Sequence, residues 1–297
     1  MRDRQKYGKK FERVLAHSLI KPMTDSIKNY PELRYYLEGS NESDITRDNL
    51  KKNLGTKITA YSSDYNFSML DVGASDGEMS LPLAQWLRER FSNFKYTGVE
   101  PEMPAFEKLN KRIKEQSINY ATTHNLKIEQ YLTQTKDKKD LFDFIMFAQS
   151  LYHMPKEEWE SIIESAIRLL KPKGFVIALL DSFEGEAYKL VDVITENKSR
   201  VDTLEFGDLY SAEDLEKFLS EKKISYKTER FSIFAFVNDG EKKVEEFARH
   251  LGFLYRTFTD KILNDYKEPT AKFLETIRKD GKYALENVVK AIIFQKS

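Results

Sequence analysis

The chain contains no cysteine, and that absence removes disulfides, thiolate nucleophiles and cysteine-based zinc sites together. Histidine is scarce. His17, His124, His153 and His250 are the only four, and their spacing matches no metal-ligand pattern, so no metal is expected. Neither sign of charge is in excess: Lys plus Arg and Asp plus Glu number 48 each. There is thus no global positive field to collect nucleic acid and no acidic tail. No apolar run approaches the roughly 18 residues that span a bilayer. The longest, Gly174 to Leu180 and Phe231 to Val237, are of strand length. The opening MRDRQKYGKK is basic, but no signal-type apolar core follows it, so a cytoplasmic protein without a membrane partner is expected.

What is present suits an α/β domain with an elaboration: 297 residues, 40% hydrophobic and 13% aromatic, enough to bury a sizeable core. The first 65 or so residues are polar and helix-prone. They carry an apolar stripe at Phe11, Val14, Leu15, Leu19 and Ile20 and turn residues at Gly39, Ser40 and Gly55. From Phe67 strand and helix signals alternate. Strands are expected at Phe67 to Val72, Tyr96 to Val99, Ile118 to Ala121, Phe142 to Phe147 and Phe175 to Leu180. Helices are expected at Glu78 to Phe91, Pro101 to Glu115, Leu126 to Thr133 and Lys156 to Leu170, with KPKG ending the last. Such alternation implies a parallel sheet covered on both faces. The tail interleaves helical patterns with two strand candidates, Tyr226 to Val237 and Asn287 to Phe294, which can pair antiparallel at the sheet edge; 187–207 reads as an insertion near the mouth of the site.

The stretch LDVGASDGE, Leu70 to Glu78, has the form of a strand, a glycine-bearing turn and a helix start. In an open α/β sheet this loop contacts the ligand at the point where strand order reverses. A dinucleotide fingerprint fails, because Ser75 and Glu78 occupy its second and third glycine positions, and no G-K-[ST] follows for a P-loop. Asp71, Asp76 and Glu78 would also repel a pyrophosphate. S-adenosylmethionine carries a sulfonium and an ammonium but no phosphate, and an acidic loop suits it. Gly73, Ala74, Ser75 and Gly77 are expected to close over it, with Asp71 meeting its ammonium. Glu100, ending the second strand before Pro101 in YTGVEP, is placed to accept both ribose hydroxyls. His124 and Asn125 are placed to reach the adenine edge.

The order of these blocks, LDVGASDGE, GVEP, FDFIMFAQSLYHMP and RLLKPKGFVIAL, resembles the class I S-adenosylmethionine-dependent methyltransferases. That resemblance implies a Rossmann-like α/β fold with a seven-stranded sheet, and S-adenosylhomocysteine as product. The expected division is a helical N-terminal lid (1–65), a cofactor-binding core (66–182) and a substrate-side insertion with sheet-completing C-terminal elements (183–297). KYGKKFERVLAHS, FDFIMFAQSLYHM and ENVVKAIIFQ are similar to blocks of the histamine N-methyltransferase family. The resemblance implicates Tyr7 and Phe11 as a lid over both ligands and Gln149 and Asn287 as polar contacts to the acceptor. Where that family places a glutamate against its amine substrate, this chain has Ile20.

Methyl transfer from a sulfonium needs alignment more than a protein nucleophile. Gln149, Tyr152, His153 and Asn287 are the polar groups expected to orient the acceptor, with His153 able to take a proton. Phe183, Tyr188, Tyr210 and Phe253 are candidates for enclosing it. The expected activity is methylation of a small molecule, foremost an amine or imidazole-like nitrogen. A small hydroxylated acceptor, or cofactor binding without turnover, are the alternatives. A monomer or weak homo-oligomer is expected, without a nucleic-acid partner.

Overall fold

The computed structural model describes residues 40–194, 210–238, 240–254, 264–279 and 281–295. Along the chain these form α1 (Glu42–Ile58), β1 (Ser68–Val72), α2 (Ser80–Arg90), β2 (Lys95–Val99), α3 (Met103–Glu115), β3 (Ala121–His124), α4 (Ile128–Gln134) and β4 (Phe142–Ala148). There follow α5 (Trp159–Leu169), β5 (Leu170–Asp181), α6 (Glu186–Ile194), α7 (Ala212–Glu221), β6 (Tyr226–Asn238), α8 (Lys243–Leu254), α9 (Lys267–Thr276), β7 (Arg278–Lys279) and β8 (Lys282–Gln295).

The apolar runs of β1, β4 and β5 are continuous because the sheet is covered on both faces. Met69, Phe144, Met146 and Ile177 point to one face, under Leu50 and Leu54 of α1, Leu81 and Leu87 of α2 and Leu109 of α3. Leu70, Val72, Ile145 and Val176 point to the other, under Ile128 of α4, Ile162 and Ile163 of α5 and Leu215 of α7. The strand order is β3-β2-β1-β4-β5-β8-β6, with β7 pairing the start of β8. β1 to β5 run parallel, and β8 is antiparallel to both β5 and β6, which is the Rossmann-like arrangement the motif order implies. β1 has β2 on one side and β4 on the other, so order reverses at β1 and a crevice opens beyond the carboxyl ends of these strands.

Three local expectations are corrected. Gly55 is expected as a turn residue, yet it lies inside α1, whose Leu50, Leu54 and Ile58 are buried at four-residue spacing. Gly55 costs that helix about 1 kcal/mol, against about 1.5–3 kcal/mol for each buried aliphatic side chain, so the helix runs through it. Ile118 is not in β3. It is buried with its N–H on Ile113 O, closing the end of α3, and the strand starts at Ala121. KPKG does not separate α5 from its strand: β5 begins at Leu170 and accommodates the segment with Lys173 at φ 68° and a register shift opposite Phe142 and Phe144.

The edge pair expected from the tail is present and longer than the sequence suggests. β6 and β8 pair from Tyr226–Phe294 to Asn238–Lys282. β5 ends opposite Val289, so the pair continues past the sheet as a ribbon on the crevice side. Ser40 bridges to Ala235 on this ribbon, and Phe234 N–H donates to Asn41 Oδ1 at 2.8 Å. Among the described residues no helix is long and apolar enough to cross a membrane.

Candidate active site

The loop after β1 is built around two glycines with positive φ, Gly73 at 75° and Gly77 at 77°. Both sites also lack room for a side chain. A Cβ at Gly73 would lie 2.7 Å from Ser150 Cβ, and one at Gly77 would lie 2.6 Å from Leu109 Cδ1. The loop therefore approaches the β4 end as closely as backbone can. Ser75, at the commoner glycine position, takes φ 50° itself.

Five of the six N–H groups from Gly73 to Glu78 are spoken for. Gly73 and Ala74 both donate to Val99 O, at 2.8 and 3.1 Å, and Gly77 donates to Ala74 O. Ser75 N–H goes to Glu100 Oε2 at 2.8 Å and Glu78 N–H to Asp76 Oδ1 at 3.1 Å. A phosphate cradle depends on free backbone N–H groups, so these five commitments leave the loop poor in donors.

This corrects the electrostatic reading of the acidic loop. Asp76 and Glu78 are both paired with Arg112 of α3, at 3.1 Å each, and Asp71 is buried at 1% exposure, where Tyr96 Oη donates to its Oδ2 at 2.8 Å. Tyr96 Oη is also 3.2 Å from Ser80 Oγ. Burial pushes the Asp71 carboxyl up to about 6, against the lowering effect of Ser80 and Tyr96. Gly98 leaves space for that tyrosine: a Cβ there would sit 3.0 Å from the hydroxyl. The three carboxylates thus have partners within the fold. The shortage of free donors thus counts against phosphate at this loop, beyond the charge of its carboxylates.

Glu100 is the carboxylate that stays at the crevice. It is buried at 6% exposure, and besides Ser75 N–H it accepts Glu102 N–H on Oε1 at 2.9 Å. Burial raises its carboxyl to about 7, with the two N–H donors opposing and Glu102 and Asp71 adding to the rise. Each oxygen keeps a further lone pair, so two vicinal hydroxyls can still be accepted. Asn125, expected at the adenine edge, commits its amide nitrogen to Glu100 O and Pro101 O, each at 2.9 Å, and so braces the turn that carries Glu100. His124 is the last residue of β3, its ring centroid 5.1 Å from that of Tyr131. Its imidazole is lowered by burial and by Lys138.

Beyond β4, Gln149 takes φ 52°, and its Nε2 donates to Asp181 Oδ1 at 2.9 Å. Its Oε1 is buried with no hydrogen-bond partner, as is Ser150 Oγ. Leaving such atoms unsatisfied costs about 1–3 kcal/mol each, a deficit that a ligand can remove. Burial raises the Asp181 carboxyl to about 6, and the Gln149 bond holds it back. Leu151–His153 form a 3-10 turn pinned by Trp159 Nε1, which donates to Leu151 O and Met154 O. The rings of Tyr152 and His153 meet at a tilt on this turn, with centroids 4.3 Å apart and His153 exposed.

After β5, Phe183 meets Tyr188 edge to face at 5.1 Å. Tyr188 is buried and donates to Tyr210 O at 3.3 Å, while Tyr210 packs on Trp159. Asn287 is buried at 2% exposure on β8, opposite Ile233 and just past the point where β5 ends. Tyr7, Phe11 and Ile20 lie outside the described residues, as does the side chain of Phe253. Among the described residues no group of three or more metal-binding side chains occurs.

The strand ends therefore bring together Gly73, Ser75, Glu100, Gln149 and Ser150 in a setting that fits S-adenosylmethionine: a close-approach loop, a carboxylate with acceptor capacity left on each oxygen and two unsatisfied polar atoms. Sequence reasoning missed Ser150, Asp181, Tyr96 and Arg112. Ser150 and Asp181 each stand at or just past a strand end, a positional signal that went unused. Tyr96 and Arg112 carry none without the fold.

Residues 35–222, more than half of the chain, match a family model described as a methyltransferase domain. No curated protein matches. Solved structures with the same fold include a proposed methyltransferase from Bacillus halodurans C-125, at 14% identity and TM-score 0.52, covering 82% of this chain and 99% of that one. The YcgJ protein of Bacillus subtilis is similar at 14% identity and TM-score 0.51, covering 83% and 99%. A proposed sarcosine dimethylglycine methyltransferase from Galdieria sulphuraria is similar at 14% identity and TM-score 0.50, covering 85% of each chain.

Proposed function

The chain belongs to the methyltransferase-domain family and is an S-adenosylmethionine-dependent enzyme; from that premise we propose that its acceptor is a small molecule methylated on nitrogen. The observation that carries this reading is the carboxylate of Asp181 at the end of β5, hydrogen-bonded to Gln149 at the end of β4. An attacking amine gains positive charge as its bond to carbon forms, and a nearby carboxylate stabilises that charge. A hydroxyl acceptor has to lose its proton and become anionic, which the same carboxylate opposes.

When bound, S-adenosylmethionine supplies a methyl group on positively charged sulfur, so collinear displacement needs positioning and no protein nucleophile. Glu100 would hold the ribose hydroxyls, and Ser150 Oγ and the Gly73 turn would meet the remaining part of the donor. Gln149 would orient the acceptor nitrogen through its free oxygen. Asn287 would supply a second polar contact, and Tyr152, Phe183 and Tyr188 an aromatic boundary. Tyr7 and Phe11 would cover both ligands. His153, exposed on its turn, would carry the proton released by the nitrogen to water. The likeness to histamine N-methyltransferases at Gln149 and Asn287 supports nitrogen as the target, and Ile20 in place of their glutamate points to an acceptor other than histamine.

The test is release of S-adenosylhomocysteine with a panel of imidazoles, primary and secondary amines, phenols and carboxylates, the products being identified by mass spectrometry. Turnover confined to nitrogen acceptors is expected. Turnover with hydroxyl acceptors alone, or firm donor binding without release from any acceptor, would overturn the reading.

A further inference from the structure

Gln149 and Asp181 are 32 residues apart in sequence, yet they meet at the carboxyl edge of two neighbouring parallel strands. An ionised carboxylate only accepts hydrogen bonds, so the end of the Gln149 amide that faces Asp181 Oδ1 at 2.9 Å has to be nitrogen. The amide oxygen is thereby left as the other end, and it is buried without a partner. The backbone holds the residue in place: Gln149 N–H donates to Leu179 O at 3.1 Å, and the residue sits in the left-handed region at φ 52°. A glutamine with a free choice of partners could present either end to a ligand. This one presents an acceptor.

We propose that Asp181 is a positioning residue that fixes the polarity of the Gln149 amide, so that the site admits an acceptor bearing an N–H hydrogen and rejects one that lacks it. The proposal rests on the reading of Gln149 as an acceptor contact and goes beyond it by naming the feature recognised. A site whose buried acceptor loses its donor discriminates strongly, because the unpaired oxygen then has to be desolvated for nothing. Asparagine at position 181 can accept or donate, so it would release the Gln149 amide to turn, while glutamate would keep the carboxylate.

The experiment is calorimetric titration of the S-adenosylhomocysteine-bound protein with imidazole and with 1-methylimidazole, which has no ring N–H. The unmodified protein is expected to bind imidazole at least about tenfold more tightly. In Asp181→Asn the ratio is expected to fall to within about twofold of unity, and in Asp181→Glu most of it should return, with S-adenosylhomocysteine affinity unchanged in both. Asp181→Ser, with less bulk, serves as a second removal of the carboxylate should the asparagine variant misfold. An imidazole preference that survives loss of the carboxylate overturns the proposal, and so does the absence of a preference in the unmodified protein, including binding of neither probe. Because the readout is binding, a protein that shows the preference but turns over no amine would sink the N-methylation reading and leave the role of Asp181 standing. Turnover of amines with a preference indifferent to residue 181 would do the reverse.

Discussion

The hydroxyl of Tyr96 on β2 donates to the carboxylate of Asp71 on β1 at 2.8 Å, passing over Gly98 to reach it. The pair lies in the core beside the start of α2, so Asp71 serves the architecture beneath the loop. Its carboxyl is raised to about 6 by burial, and a raised acid binds its proton more tightly folded than unfolded. Its effect on stability is most favourable below the unfolded value near 4 and is lost as pH rises through about 6. Asp71→Asn keeps the shape and a hydrogen-bonding oxygen without that loss. Chemical denaturation should find the variant more stable than the parent at pH 8, by about 1–3 kcal/mol, with the difference shrinking at pH 4.5. An equal difference at both pH values would contradict this account.

A ribose contact at Glu100 would link donor binding to pH. Ribose hydroxyls donate to the ionised carboxylate, whereas the free protein holds this group at about 7. Binding should therefore release a proton between pH 6 and 7, and the dissociation constant should rise as pH falls through that range and level off above it. Calorimetry in two buffers of different ionisation enthalpy measures the proton directly. In Glu100→Gln the proton release should vanish and affinity should drop about tenfold or more. Release that persists in the variant would place the titrating group elsewhere.

Arg112 ties α3 to the loop through Asp76 and Glu78. The side chain of Asp76 is only 9% exposed, so removing the guanidinium takes the cation from a mostly buried charge. Arg112→Gln should lower stability by about 1–3 kcal/mol and weaken donor affinity through the loop, with little change in kcat at saturating donor. A fall in kcat with unchanged affinity would show that Arg112 acts on the reacting groups instead.

Ser150 offers a diagnostic with two signs. Its hydroxyl is buried and unpartnered, so Ser150→Ala should raise the stability of the free protein by about 1 kcal/mol. If the bound donor is what satisfies that hydroxyl, the same variant should bind S-adenosylhomocysteine more weakly. Gly73→Ala provides the contrast: strained at φ 75° and clashing with Ser150 Cβ at 2.7 Å, it should lose both stability and affinity. Thermal shift with and without S-adenosylhomocysteine separates these patterns, and a Ser150→Ala protein with unaltered affinity would remove Ser150 from the site.

The sequence by itself determined the alternation of strand and helix, the order of the four blocks, the glycine turn after β1 and the placement of Glu100 at the end of β2. These follow from local rules: side-chain period, turn chemistry and the length of apolar runs act over a few residues and can be read without knowing what lies across the sheet. At Ile118 and Gly55 packing against a neighbour overrides local preference.

Only the tertiary structure decided which way the polar groups face. The acidic loop looked like a patch awaiting a cation, yet Arg112, 34 and 36 residues from its two partners, and Tyr96, 25 residues from Asp71, had already taken those charges. The same folding set Asp181 beside Gln149. A carboxylate's partner depends on which strand ends the crossovers make adjacent, and chain connectivity puts that information far from the residue in question. Sequence thus located the crevice, and the fold determined which of its charges remain available to a ligand.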